Sequence, residues 1–354
     1  MSLRPRARVH LSNIADNWRL YDRLSGPGGA GAVVKADAYG HGAGPVARVL
    51  AGAGCRSFFV AYAFEGEEVR RAVGPGSEIF VFSGLAAEDV EACRAAALTP
   101  VLNSLENIDA LLAVGTDLPF ALHVDTGMNR LGLSRDEVAV ARRRLQGREP
   151  VLLISHFACA DEPTSAMNAA QSHVFAEACA QFPGVAVSLA NSAGHSLDTE
   201  MRRGLTRPGI GLYGGGTGPT RLNGLKPGMT LEAAILQVRT GRAGESVGYG
   251  ASVRLERDTL LATVGLGYGD GFLRAAGNSG FAYLGETCCP IVGRVSMDLI
   301  SLDVSAVAPL AKPGAWVEFI GAKADLERQA AAAGTLGYEL TTGLGARVER
   351  IYED

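Results

Sequence analysis

The chain has 354 residues, 47% of them apolar and 20% charged, with a formal net charge of −4. That length exceeds one ordinary core, and the composition belongs to a folded protein rather than a disordered one. The charge balance offers no basic surface for nucleic acid or an anionic membrane, and no run of about 18 apolar residues offers a membrane span. MSLRPRARVHLSN is charged and precedes no apolar stretch, so it does not read as a signal peptide, and a cytoplasmic protein is expected. The six cysteines form no C-x-x-C pair and no Cys/His cluster, so free thiols and no metal site are expected.

In chain order, β-rich runs are predicted at 31–36, 57–61, 78–82, 98–102, 119–125, 151–157, 185–190 and 206–213. Helical patterns lie between most of them, at 43–53, 87–96, 104–113, 135–146 and 166–181. Eight strands alternating with helices predict a parallel (β/α)8 TIM barrel, with an open doubly wound sheet as the rival. No G-x-G-x-x-G follows the first strand, which weakens the dinucleotide-binding form of that rival. Beyond residue 228 the pattern changes. TLEAAILQVRTG, TLLATVGLGYG, CCPIVGRVSMDLISLDV and AWVEFIG are closely spaced β-type segments, and Ala330–Ala333 reads as a short helix. The expected division is a barrel domain over 1–228, whose first ten or so residues pack with the second domain, and a mostly β domain over 229–354. KPG at 226–228 marks the joint.

Lys35 ends the first strand, after three apolar residues. Burial there disfavours its charged form, as Schiff-base chemistry requires, although a strand-end lysine also snorkels to water. AVVK imitates the V-A-I-K of protein kinases, but no Gly-rich loop, H-R-D or D-F-G accompanies it. Other strand ends carry Asp125 with Arg130, then His156, then Asn191 and Ser192, then Arg207 with Gly209 and Ile210. Barrel active sites gather at those ends, so in that fold these polar groups converge. RPGIGLYGGG supplies backbone N–H groups that can cradle a phosphate, or a plain Gly-rich turn. In the second domain, Tyr249 stands between two glycines, suited to an exposed ring or to a hairpin, and Met297 and Asp298 share a turn.

VVKADAYGHG, HVDTGMNRLGL, ISHFACADE, LANSAG, RPGIGLYGG, ESVGYGA, GLGYGDG and VGRVSMD occur in that order. Together they resemble successive blocks of the alanine racemase family over nearly the whole chain. The resemblance implies pyridoxal 5'-phosphate as cofactor, alanine as substrate, and a homodimer with shared sites. It implies that Lys35 is the Schiff-base lysine and the base for D-alanine, and that Tyr249 of the partner subunit serves L-alanine. Tyr39, Ser192, Gly209 and Ile210 would hold the cofactor phosphate. Arg207 would bond the pyridine nitrogen, and His156 would lie beneath or beside the ring. Arg130 and the partner's Met297 would contact substrate, with Arg130 also reaching the cofactor, and Tyr268 would line the entrance. The reaction would supply D-alanine for peptidoglycan or catabolise it.

The chain departs from the family pattern at second-rank positions. His123 stands where many members carry a carbamylated lysine beside the arginine of the D-T-G-M block, so a bound anion or Asp125 is expected to support Arg130. Ser188 stands where histidine is common, Ser296 where cysteine is common, and Ala346 where an entrance tyrosine is common. A racemase of the same fold acting on serine, lysine or arginine is the alternative. A fold-related decarboxylase would place a carboxylate, not Arg207, on the ring nitrogen, and a single-domain carrier would lack the β-rich segment with Tyr249.

Overall fold

The computed structural model describes residues 3–113, 115, 118–197, 204–216 and 218–354. They form two compact units. One holds Ile14–Ala38 and Gly42–Leu225; the other holds the N-terminal stretch up to Asn13, Tyr39–His41 and Lys226–Asp354.

The first elements are β1 (Arg6–His10), which belongs to the second unit, and α1 (Leu11–Ser25). The barrel unit then continues through β2 (Ala32–Val33), a left-handed turn α2 (Lys35–Gly40), α3 (Ala43–Ala53), β3 (Ser57–Val60), α4 (Ala63–Val73), β4 (Glu78–Val81) and α5 (Val90–Ala95). It goes on through β5 (Thr99–Leu102), α6 (Leu105–Ala113), β6 (Ala121–His123), α7 (Arg135–Arg144), β7 (Leu152–Ile154), α8 (Ala166–Cys179) and β8 (Ala186–Ser188). Strands β2 to β8 pair in sequence order, all parallel. The eighth strand is short. Thr206 bridges Ala30 and Arg207 bridges Asn191, both in parallel, so the segment joins the two edges and closes the (β/α)8 barrel. The β-run predicted at 206–213 therefore ends early: Pro208 has no N–H for the ladder, and Ile210–Tyr213 turns into a 3-10 helix. Pro208 still accepts through its carbonyl from Val33 N at 3.1 Å.

Strands such as β3 and β5 are buried at every residue, as expected for parallel strands covered on both faces. Phe59 stacks on Phe80 and Phe82 at 4.8 and 5.5 Å. The helices follow local rules. In α7, Ser134 Oγ accepts from Glu137 N, Asp136 and Glu137 occupy the first turn, and Arg142, Arg143 and Arg144 occupy the last, which matches the helix dipole at both ends. Helix α4, absent from the helices read in the sequence, is started by Glu65, whose Oε2 accepts from Ala61 N and Tyr62 N.

In the second unit one long strand organises the sheet. β9 (Met229–Gly241) pairs antiparallel with β1 along its first residues, and β1 pairs parallel with the chain's last strand, Glu349–Glu353. Trp316–Ile320 also pairs with the first part of β9, at Leu231–Ala234, and Thr259–Val264 pairs with the rest, from Ile235 to Gly241. The β-type stretch at 288–304 splits into Thr287–Pro290 and Ile300–Asp303, with the Met297 turn between. The helix read at Ala330–Ala333 spans Leu326–Ala332. All six cysteines are free, and Cys288 is exposed while Cys289 is buried, as alternation along a strand requires. No helix among the described residues is long and apolar enough to cross a membrane.

Candidate active site

Lys35 follows β2 directly and opens the left-handed turn. Ala36, Asp37, Ala38 and Tyr39 have φ of 51°, 53°, 52° and 54°. Such a backbone costs about 1–2 kcal/mol per L-residue, so the surroundings must hold it. Glu65 Oε1 accepts from Ala36 N at 2.7 Å, Ala38 N donates to Val34 O at 2.9 Å, and Asp37 Oδ1 accepts from Ala43 N at 2.7 Å. The Lys35 ammonium lies 5.9 Å from the Phe82 ring centroid. Burial depresses its pKa, and Arg130 depresses it further, against an opposing pull from Glu65.

A cluster of cationic and imidazole groups occupies the neighbouring strand ends. Arg207 is buried; it donates to Ser188 Oγ and to Ser155 O, both at 2.5 Å, and sits 5.9 Å from the Phe59 ring. Ser188 in turn donates to Leu205 O. Burial pulls the guanidinium down to about 10, so it stays protonated at neutral pH. His156 lies between Arg207 Nη2, 3.5 Å from its Nδ1, and Asn191 Nδ2, 3.4 Å from its Nε2. Burial and then Arg207, Arg130, His123 and Lys35 hold His156 well below the ordinary imidazole value. His123 Nδ1 pairs with Asn103 Oδ1 at 2.9 Å, and burial first, then Arg207 and Arg130, push it down to about 4.

Few negative charges balance this cluster. Asp125 Oδ1 accepts from Gly127 N and Asn129 N, and both Glu65 oxygens accept backbone N–H groups. Asp125 makes no ion pair with Arg130, so that part of the expectation for Arg130 is not met; the Asp125 carboxylate organises its own loop.

Ser192 Oγ accepts from Gly209 N at 2.8 Å and Gly211 N at 3.2 Å, which gathers a hydroxyl and two backbone donors at the start of the Ile210–Tyr213 turn. A Cβ on Gly211 would lie 2.0 Å from Tyr21 Oη, so only glycine fits there.

The remaining predicted residues belong to the second unit. Tyr249 is 71% exposed at the tip of a two-stranded hairpin in which Val247 pairs with Val253. Its neighbours Gly248 and Gly250 have φ of 71° and 72°, the left-handed region that glycine adopts without penalty. Met297 and Tyr268 are also exposed, and their turns are joined by Gly269 N to Met297 O at 2.8 Å and Tyr268 N to Ser296 O at 3.0 Å. Tyr39 is buried, 6.0 Å from Tyr338 between ring centroids, and burial raises its pKa. Ala346 is exposed. Lys35, Arg130, His156 and Arg207 thus act on one another within the barrel unit, with Ser192 and Gly209 in the adjoining turn. Tyr39, Tyr249, Tyr268 and Met297 are placed by the other unit.

Two family descriptions match in tandem. Residues 9–217 match the alanine racemase N-terminal domain, and residues 228–352 match the alanine racemase C-terminal domain. The chain belongs to the alanine racemase family. It is 45% identical to the alanine racemase of Dinoroseobacter shibae, over 97% of both chains. It is 42% identical to the catabolic alanine racemase of Agrobacterium fabrum, over 97% of this chain and 91% of that one. The structure superposes on the biosynthetic alanine racemase of Pseudomonas aeruginosa with a TM-score of 0.93 at 37% identity. The alanine racemase of Bartonella henselae, solved with covalently bound pyridoxal phosphate, gives 0.92 at 34% identity. Each structural match covers 99% of both chains.

The barrel residues fit the group found in that Bartonella structure. Lys35, a lysine of depressed pKa, stands among them. Buried Arg207 bonds to the neutral oxygens of Ser188 and Ser155, which leaves a positive charge that suits an anionic ligand. The Ser192 hydroxyl, which accepts from Gly209 N and Gly211 N, keeps its own proton to donate to a phosphate.

His123 carries a stability signature. Its folded-state pKa of about 4 lies below the unfolded value of 6.5, so between these pH values the unfolded chain holds the extra proton. Stability is full above the upper value and is lost as pH falls through the window, by up to about 1.4 kcal/mol per pH unit. Denaturant titrations at several pH values will show a shallower acid loss for His123→Gln than for the parent; identical slopes would remove the assignment.

Several supporting residues were not read from the sequence. Glu65, Asn103 and Gln171 touch the predicted groups or their turns but belong to no motif, while Thr126 and Ser155 stand inside HVDTGMNRLGL and ISHFACADE without a role read for them. Outside the motifs, the available signal was Gln171, a polar side chain on the stripe Asn168, Gln171, Phe175, Ala178 that α8 buries.

Proposed function

We propose that this chain interconverts L-alanine and D-alanine, using pyridoxal 5'-phosphate held by the barrel unit and a second base from a partner subunit. The observation that carries the reading is Lys35: a lysine of depressed pKa at a barrel strand end, set among Arg130, Arg207 and His156. The cofactor, when bound, supplies a conjugated ring that spreads the electron pair left on the substrate α-carbon. Lys35 Nζ would hold it covalently and move the α-proton of D-alanine on one face. Tyr249 of the partner subunit would move the α-proton of L-alanine at its Oη on the opposite face. Two bases on two faces allow inversion without turning the substrate, provided each is tuned to give and take a proton.

Ser192, Gly209, Ile210 and Tyr39 would bind the phosphate. Arg207, cationic at neutral pH, would donate to the ring nitrogen without releasing its proton, which limits the ring as an electron sink and favours prompt return of the proton. His156 would stay neutral beside the ring. Arg130 would reach the substrate and the cofactor, the partner's Met297 would contact the substrate, and Tyr268 would line the entrance. Exposure of Tyr249, Tyr268 and Met297 on one unit supports a two-fold homodimer in which each copy lends them to the other. On this reading residues 1–228 form the cofactor-binding part and 229–354 the lending part. The setting is cytoplasmic, and the product serves peptidoglycan or the substrate serves catabolism.

The test is α-hydrogen exchange. In heavy water, the cofactor-loaded protein will convert L-alanine to both enantiomers carrying α-deuterium. Untouched alanine with exchanged serine, lysine or arginine would replace alanine as the substrate, a result that the small, exposed Ala346 would accommodate. No cofactor binding and no exchange would overturn the reading.

A further inference from the structure

We propose that Gln171 is a positioning residue for the site assigned above, and that its carboxamide sets the turn bearing His156 against the turn leading to Arg130. The inference rests on that functional reading and concerns a residue it does not use.

Gln171 has no exposed surface, on a helix whose other deep positions include Phe175 and Ala178. A buried polar side chain costs stability unless each of its groups is paired, and a leucine of similar size would fill the same space without that demand. Here each group is paired. Oε1 accepts from Ala158 N at 2.9 Å, while Nε2 donates to His156 O at 2.9 Å and to Thr126 Oγ1 at 3.0 Å. One amide therefore grips the chain on both sides of Phe157 and reaches across to the turn after β6. Thr126 Oγ1 also lies 2.8 Å from Ser155 Oγ, and Ser155 O accepts from Arg207 Nη2. The network thus extends from α8 through two barrel turns to the buried guanidinium. Only an amide makes all three bonds as they stand: a carboxylate has no donor for His156 O, and a protonated carboxyl has one donor where Nε2 supplies two.

The experiment compares cofactor-loaded parent protein with Q171L, Q171E, T126V and Q171L/T126V. It measures kcat for L-alanine against pH, the visible circular dichroism of bound cofactor, and the thermal midpoint. For Q171L, kcat per bound cofactor is expected to fall about ten-fold or more, with an altered dichroism band, since small displacements of reacting groups are costly. Q171E is expected to be deficient at alkaline pH and partly restored at acid pH, where its carboxyl can donate once. The double variant is expected to be no worse than Q171L, because both changes break one network. Q171L with unchanged kcat and dichroism and only a lower thermal midpoint would overturn the inference, leaving a packing role. Should Q171L not fold, a flat kcat ratio between Q171E and parent across pH would overturn it equally. A parent protein that neither binds pyridoxal phosphate nor exchanges alanine would remove the functional reading, and this inference with it.

Discussion

Replacing Lys35 by alanine will remove the visible absorbance of lysine-bound cofactor and lower racemisation by about 10³-fold or more, since covalent attachment and one proton transfer are lost together. The folded chain should survive the change. Lys35 contributes no hydrogen bond to the left-handed turn through its side chain, and Ala36 N, Ala38 N and Asp37 remain tied as before. Removing a half-buried ammonium from beside Arg130 relieves repulsion, so the thermal midpoint of the cofactor-free variant should not fall. Activity within ten-fold of the parent, or an unchanged absorbance, would show that another group holds the cofactor. A primary amine added to the solution offers an independent check: partial recovery is expected if the missing function is an amine at that place.

Replacing Tyr249 by phenylalanine will leave cofactor binding intact and lower racemisation by about 10²–10⁴-fold, the range for loss of one positioned acid–base group. The ring is exposed on its own subunit and the hairpin is held by backbone pairing, so losing one hydroxyl leaves the fold unaffected. Because the two enantiomers are equal in free energy, racemisation must fall equally in both directions. Exchange of the α-hydrogen need not. With Lys35 intact, D-alanine should still lose its α-hydrogen to solvent without inversion, whereas L-alanine should not. Equal exchange of both enantiomers by the variant would remove the two-base assignment. Mixing Tyr249→Phe subunits with Lys35→Ala subunits gives a further result: hybrid dimers should regain one complete site, provided the tyrosine is lent across the interface.

Much of this was legible in the sequence because the signals were local. Apolar runs placed the parallel strands, and KPG at 226–228 falls at the edge of the second unit, which resumes at Lys226. The motif residues at the strand ends followed from the rule that barrel sites gather there. What stayed hidden depends on partners far along the chain. Glu65 meets Ala36 across 29 residues and Gln171 meets Thr126 across 45, and no spacing in the sequence announces either pair. The end of the last barrel strand was misplaced for a different reason: IGLY after Pro208 has strand-like residues, but without the proline N–H the ladder stops and the chain coils into a short turn. Nor does KADAYG look left-handed, since the residues after Lys35 are ordinary formers of the opposite hand.

That turn reverses the usual ranking of amino acids over four positions. At Ala36 through Tyr39 the backbone is close to the mirror image of a normal helical turn, so glycine becomes the least costly residue and valine or isoleucine the most. Sequence variation beside Lys35 is therefore filtered by handedness before side-chain chemistry is tested at all. A chain could drift widely elsewhere in its barrel while these positions admit only residues that tolerate being wound the wrong way.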